Sequence, residues 1–103
     1  MKVRNKEDIL LRLRSHREAL RNFGLEQIGL FGSFVRDEQK KNSDIDLLVE
    51  FNKRKKTFRN FVGLAAYIES LLGRKVEVVT PESLSPYLAP YIKKEAEYVE
   101  IAN

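Results

Sequence analysis

The stretch Gly29-Leu30-Phe31-Gly32-Ser33-Phe34-Val35-Arg36, followed by Ser43-Asp44-Ile45-Asp46-Leu47-Leu48-Val49-Glu50-Phe51, decides how this chain is read. Glu26 to Phe31 is a short, mostly apolar run that enters a Gly-Ser pair, as a strand entering a tight turn does. Phe34-Val35-Arg36 fits a brief helical turn after it, and Asp37 to Ser43 is a polar loop. Asp44 to Phe51 then alternates as a second strand. Ile45, Leu47, Val49 and Phe51 share one face, and Asp44, Asp46, Leu48 and Glu50 share the other.

On the N-terminal side, Asn5 fits a helix cap, with Glu7 and Asp8 suited to the positive end of the helix dipole. Ile9, Leu10, Leu13, Leu20 and Phe23 recur at helical spacing, which predicts one helix ending near Phe23, before Gly24. On the C-terminal side, Asn52 to Lys56 is a basic connection. Phe58, Phe61, Val62, Ala65, Ile68, Leu71 and Leu72 form an amphipathic helix stopped by Gly73. Val76 to Thr80 reads as a third strand, and Thr80-Pro81 as a cap with proline at the first helical position. The remainder, broken by Pro86 and Pro90, is expected to be helical with a loose end at Val99. The predicted order is helix, strand, strand, helix, strand, helix. That is an α+β fold, an α/β sandwich with one small mixed sheet, expected as a single domain over residues 1–103.

The 103 residues are 43% apolar and 33% charged, the balance of a globular protein. Apolar runs are only a few residues long, so no membrane span is expected. The charged start, Met1 to Asp8, lacks the apolar stretch of a signal peptide. Cysteine is absent, which removes disulfides and thiolate metal sites, and a cytoplasmic setting is expected. The net charge of +4 suits an anionic partner but does not by itself point to nucleic acid.

Chemistry concentrates at the Gly-Ser pair and the Asp-x-Asp. Strand periodicity puts the Asp44 and Asp46 carboxylates side by side, a repulsive arrangement that a cation relieves. Mg²⁺ fits, since it takes oxygen ligands and is commonly completed by substrate phosphates, whereas one histidine, His16, cannot build a zinc site. Gly32 permits close backbone approach to a phosphate, and the Ser33 hydroxyl adds a donor. The Walker pattern GxxxxGK[ST] is missing. Taken singly, the bland readings are a common turn at Gly32-Ser33 and a pair of solvated edge-strand charges at Asp44 and Asp46.

Together these residues resemble the minimal nucleotidyltransferase (MNT) domain of the DNA polymerase beta-like nucleotidyltransferase superfamily, whose signature is Gly-Ser, a spacer and Asp-x-Asp. The resemblance runs from the leading helix to the strand at Lys75-Val76-Glu77-Val78-Val79-Thr80. It implies a nucleotidyltransferase in which a hydroxyl attacks the α-phosphate of a nucleoside triphosphate and pyrophosphate leaves. By position, Asp44 and Asp46 would hold metal and Gly32 and Ser33 the triphosphate, while Arg36 would steady the loop or the phosphates. The family's third acidic residue, commonly Asp, is here Glu77, which could share a metal and take the proton of the attacking hydroxyl. A surface glutamate beside Lys75 is the other reading of that position. Asp37 stands where the family often has glycine.

The resemblance also implies a role. Small members act as antitoxins beside HEPN-domain ribonuclease toxins, moving AMP from ATP with Mg²⁺ onto the partner, onto a tyrosine hydroxyl. The alternative is a binding module in the same fold that silences or scaffolds its partner stoichiometrically. Transfer to RNA or to a small molecule such as an aminoglycoside is a third, weaker reading. Direct nucleic-acid binding and membrane association are not expected. The basic run Lys53-Arg54-Lys55-Lys56 with Arg59 reads as a solvated surface. Tyr67, Tyr87, Tyr91 and Tyr98 suit either an interaction surface or the rim of a core.

Overall fold

The computed structural model describes residues 2–102, so the first and last residues of the expected 1–103 domain, Met1 among them, lie outside the described residues. The elements are α1 (Lys6–Ser15), α2 (Arg17–Asn22), β1 (Leu25–Phe31), β2 (Ile45–Phe51), α3 (Phe58–Leu72), β3 (Val76–Val79), α4 (Ala89–Glu95) and β4 (Glu97–Glu100). Short 3-10 turns occupy Lys53–Lys55 and Pro81–Ser83.

Among the described residues, four strands form one mixed sheet in the order β3-β2-β1-β4. β1 pairs antiparallel with both β2 and β4, and β2 pairs parallel with β3. The expected α+β class is therefore observed, and the α3 crossover supplies the parallel pair, as a connection of that length must. One sheet face, carrying Ile28, Leu30, Ile45, Leu47, Val49 and Val99, packs against Ile9 and Leu13 of α1, Leu20 of α2, and Leu64, Ile68 and Leu72 of α3. Leu64, Ile68 and Leu72 lie four residues apart, so α3 turns one stripe to the sheet. Burying each such side chain contributes roughly 1.5–3 kcal/mol.

Local signals set most boundaries. The Asn5 side chain accepts the Asp8 amide at 2.9 Å and caps α1. Thr57 does the same for α3 through the Asn60 amide, and Gly73 closes α3 at φ 70°, the left-handed conformation that favours glycine. Thr80-Pro81 opens a 3-10 turn, as its chemistry predicts.

Two expectations are corrected. The leading helix is two helices, broken at His16, whose φ of −114° leaves the helical range while its Nδ1 sits 2.9 Å from the Arg12 carbonyl. Leu20, beyond the break, is buried. The second correction is the C-terminus. Helix α4 stops at Glu95, and residues 97–100 form an edge strand on β1, with Ile28 opposite Val99 and Gly29 opposite Tyr98. Four residues with one buried valine carry too little periodicity to announce a strand. Their partner, 70 positions earlier, decides it.

Candidate active site

The face of the sheet away from α1 and α3 carries the polar chemistry. Asp46 sits on the second residue of β2, opposite Phe31 of β1 on one side and Glu77 of β3 on the other. Residues in register on adjacent strands project to the same face, so the Asp46 and Glu77 carboxylates are neighbours. Asp44 lies one residue before β2 and is exposed, Glu77 is exposed, and Asp46 is half-buried. Leu48, which the alternation places on this face, is buried rather than facing water.

Burial, and after it the negative fields of Glu77 and Asp44, push the Asp46 carboxyl from its ordinary value near 3.8 up to about 6, against the opposing pull of Arg36. Both of the other predicted acids therefore act on Asp46. Among the described residues, no three acidic or histidine side chains are drawn into a closed set able to hold an ion unaided. The donors are hard carboxylate oxygens, which fit Mg²⁺, and an open set of this kind fits an ion whose remaining ligands come from phosphate. A half-buried carboxylate destabilised by two others is the observation that favours a cation here.

Gly32 follows β1 directly at φ 84°, and any Cβ at this position would overlap Oδ2 of Asp46. The absence of a side chain at Gly32 thus makes room for the Asp46 carboxylate. Val35 and Arg36 amides both donate to the Gly32 carbonyl, at 3.1 and 3.3 Å, making the expected turn after Ser33. Phe34 is buried beneath it and fixes the turn to the core. Asp37 adopts φ 58°, which explains why glycine suits that position: the left-handed conformation costs a side-chain-bearing residue roughly 1 kcal/mol, less for Asp than for most.

Glu95 is a participant that the sequence reading missed. Its Oε1 accepts the Gly32 amide at 2.6 Å, and its Oε2 accepts Arg36 Nη1 at 2.7 Å. Arg36 also donates from Nε to Glu38 at 2.8 Å. Burial opposes charge on Glu95, but the Gly32 amide and the Arg36 guanidinium outweigh it and hold the carboxyl below its usual range. One carboxylate thus occupies both the Gly32 amide and the Arg36 guanidinium. No spacing in the sequence links residue 95 to residue 32, since the β1–β4 pairing makes that connection.

Arg74 is the second unforeseen residue. Its Nη2 donates to the carbonyls of Lys40, Lys41 and Ser43 at 3.2, 2.9 and 3.1 Å, and its guanidinium lies 5.1 Å from the centre of the Phe34 ring. It therefore clasps the loop leading into Asp44 to the turn that follows Gly32. Charge-assisted hydrogen bonds are worth about 1.5–3 kcal/mol, and a forked, stacked guanidinium is not replaced by an ammonium. Arg74→Ala is expected to destabilise the fold by roughly 2 kcal/mol. Arg74→Lys should recover less than half of that loss in urea unfolding. A full rescue by lysine would mean that only the charge at 74 matters.

The remaining predictions fall elsewhere. Lys53, Arg54, Lys55, Lys56 and Arg59 are exposed, as expected, and Lys56 pairs with Glu82. His16 holds the helix break, away from the acids. Tyr67 packs on Phe23 with ring centres 5.5 Å apart, Tyr98 donates to the Lys93 carbonyl, and Tyr87 and Tyr91 are exposed. Among the described residues, no helix is long and apolar enough to cross a membrane.

The family profile described as "Nucleotidyltransferase domain" matches residues 13–99, a span that contains every residue of this site. The protein adenylyltransferase MntA of Thermococcus cleftensis is 40% identical over 94 residues, covering 90% of this chain and 94% of that protein. A solved structure assigned as a minimal nucleotidyltransferase superposes with a TM-score of 0.71 at 35% identity, over 85% of this chain and 93% of the other. The structure of a toxin–antitoxin with AMP-PNP aligns at a TM-score of 0.66 and 27% identity, over 90% of this chain and 71% of that one.

Proposed function

This chain belongs to the nucleotidyltransferase domain family and is an enzyme of that class, and from that premise we propose that it transfers AMP from ATP to a tyrosine hydroxyl of a HEPN-type toxin and so acts as its antitoxin. The observation that carries the reading is the pairing of Asp46 with Glu77 across the parallel strands, beside the Gly32-Ser33 turn. The relative that acts as a protein adenylyltransferase, and the neighbour that is a toxin–antitoxin with AMP-PNP, support adenylyl transfer within such a pair. Residues 1–103 would work as a single domain.

In this reading Asp44, Asp46 and Glu77 hold Mg²⁺, which when bound offsets negative charge on the phosphates. Ser33 offers its hydroxyl to the triphosphate. The Gly32 amide and Arg36 become available to the phosphates as Glu95 gives them up. Asp46 and Glu77, in register on neighbouring strands, would align an acceptor hydroxyl and take its proton. The site opens on the surface, where a partner would present its acceptor residue.

The competing reading is neutralisation by stoichiometric binding, favoured by the exposed Glu77 in place of aspartate. Transfer of α-labelled ATP to the protein encoded beside this chain separates the two. We expect label on a partner tyrosine with the wild type and none with Asp44→Ala/Asp46→Ala. An unlabelled partner that still binds the double variant would establish stoichiometric binding instead.

A further inference from the structure

Helix α4 brings a phenol to the same site. Tyr91 lines a cavity of about 350 Å³ together with Asp46, Gly32, Arg36 and Glu95. That volume is within the roughly 300–1,000 Å³ usual for small-molecule sites. Tyr91 is 75% exposed, and among the described residues its hydroxyl makes no hydrogen bond. The other tyrosines are placed differently. Tyr98 has its hydroxyl on the Lys93 carbonyl, Tyr67 packs on Phe23, and Tyr87, although exposed, does not line the cavity.

We propose that Tyr91 is an acceptor for the chain's own transferase site, so that the protein adenylylates itself within one molecule. The inference rests on the adenylyl-transfer reading and extends it to a modification site. A phenol in the cavity wall meets the nucleotide at the effective concentration of a tethered group, on the order of millimolar, far above that of a dilute protein acceptor. Tyr91 Oη attacks the α-phosphorus of ATP. An O–P ester bond forms as the bond from the α-phosphorus to the bridging oxygen of pyrophosphate breaks. Pyrophosphate takes the electron pair of that bond, and the phenolic proton passes to the Asp46 carboxylate that lines the same cavity. No further reactant is required.

An aromatic wall could instead serve by stacking on adenine, and Tyr91→Phe tells the two roles apart because it keeps the ring and removes the nucleophile. The test is incubation of the full chain with α-labelled ATP and Mg²⁺, followed by peptide mapping. Label is expected on the peptide carrying Tyr91, absent in Tyr91→Phe, and lower by about 1,000-fold or more in Asp46→Asn. The labelling rate constant should stay unchanged on dilution, as an intramolecular step requires. An exposed tyrosine tolerates phenylalanine, and a thermal melt checks that the variant folds. A wild-type chain that labels a partner protein but not Tyr91 would overturn the proposal, as would a rate that falls with dilution. Self-labelling that persists in Tyr91→Phe would also overturn it. If neither the chain nor a partner takes label, the adenylyl-transfer reading itself falls, which is a separate result.

Discussion

Asp46→Asn is expected to lower adenylyl transfer by about 1,000-fold or more while making the metal-free chain more stable. The loss follows from removing a carboxylate from a charge-neutralising set, where several kcal/mol of transition-state stabilisation are at stake. The gain in stability follows from electrostatics. In the folded chain the Asp46 carboxyl is raised from near 3.8 to about 6, so the native state holds that proton more tightly than the unfolded one. The penalty is absent below about pH 4, grows as pH rises from 4 to 6, and is complete above that. Two pKa units correspond to about 3 kcal/mol, and partial solvent access reduces the expected gain to roughly 1–3 kcal/mol at neutral pH. Urea unfolding of both proteins in a chelator, at pH 4 and pH 7.5, measures it. Equal stability of the two at pH 7.5 would mean that Asp46 is not electrostatically frustrated. Adding Mg²⁺ and a non-hydrolysable ATP analogue should reverse the order, stabilising the wild type and leaving the variant unchanged.

Gly32→Ala is expected to cost roughly 2 kcal/mol of stability and to reduce transfer about 100-fold. One part is backbone strain, since φ is 84° where a Cβ costs about 1–2 kcal/mol. The other is steric, since the new Cβ overlaps Asp46 Oδ2 and must push that carboxylate aside. A shift of about 1 Å in a reacting group commonly costs about 100-fold in rate. The two parts separate in a double-mutant cycle, because Asp46→Ala removes the atom that Gly32→Ala strikes. We expect a coupling of about 1 kcal/mol between the two substitutions, with the strain left over as the uncoupled remainder. Strict additivity would show that the carboxylate does not occupy the glycine's space.

These two residues also mark where the sequence was informative. Gly32, Asp44 and Asp46 were legible because a strand's period of two and a glycine before a turn are local properties, and residues 29–51 hold both signals within one short segment, whereas Glu77 was singled out only by the family resemblance. The same locality fixed α3, whose apolar stripe, Thr57 cap and closing Gly73 are all within the helix or at its ends. It also fixed the α+β class, since strand-helix-strand spacing admits few arrangements.

What the sequence could not show are relations between distant residues. The split of the leading helix at His16 depends on where Leu20 finds a core to bury in. The fourth strand exists because β1 offers an unpaired edge, and its own four residues carry almost no pattern. Glu95 at the Gly32 amide, Arg74 across the Lys40–Ser43 carbonyls and Tyr91 beside Asp46 all arise from chain crossings that no local periodicity encodes. The sequence by itself determined that a glycine turn and a carboxylate pair fall on adjacent strands, because backbone freedom at glycine and the alternation of the pleat are local properties. Only the tertiary structure decided the occupants of the space around it, because a half-buried carboxylate is raised, and an amide is satisfied, by whichever residues the packed sheet brings within a few ångströms.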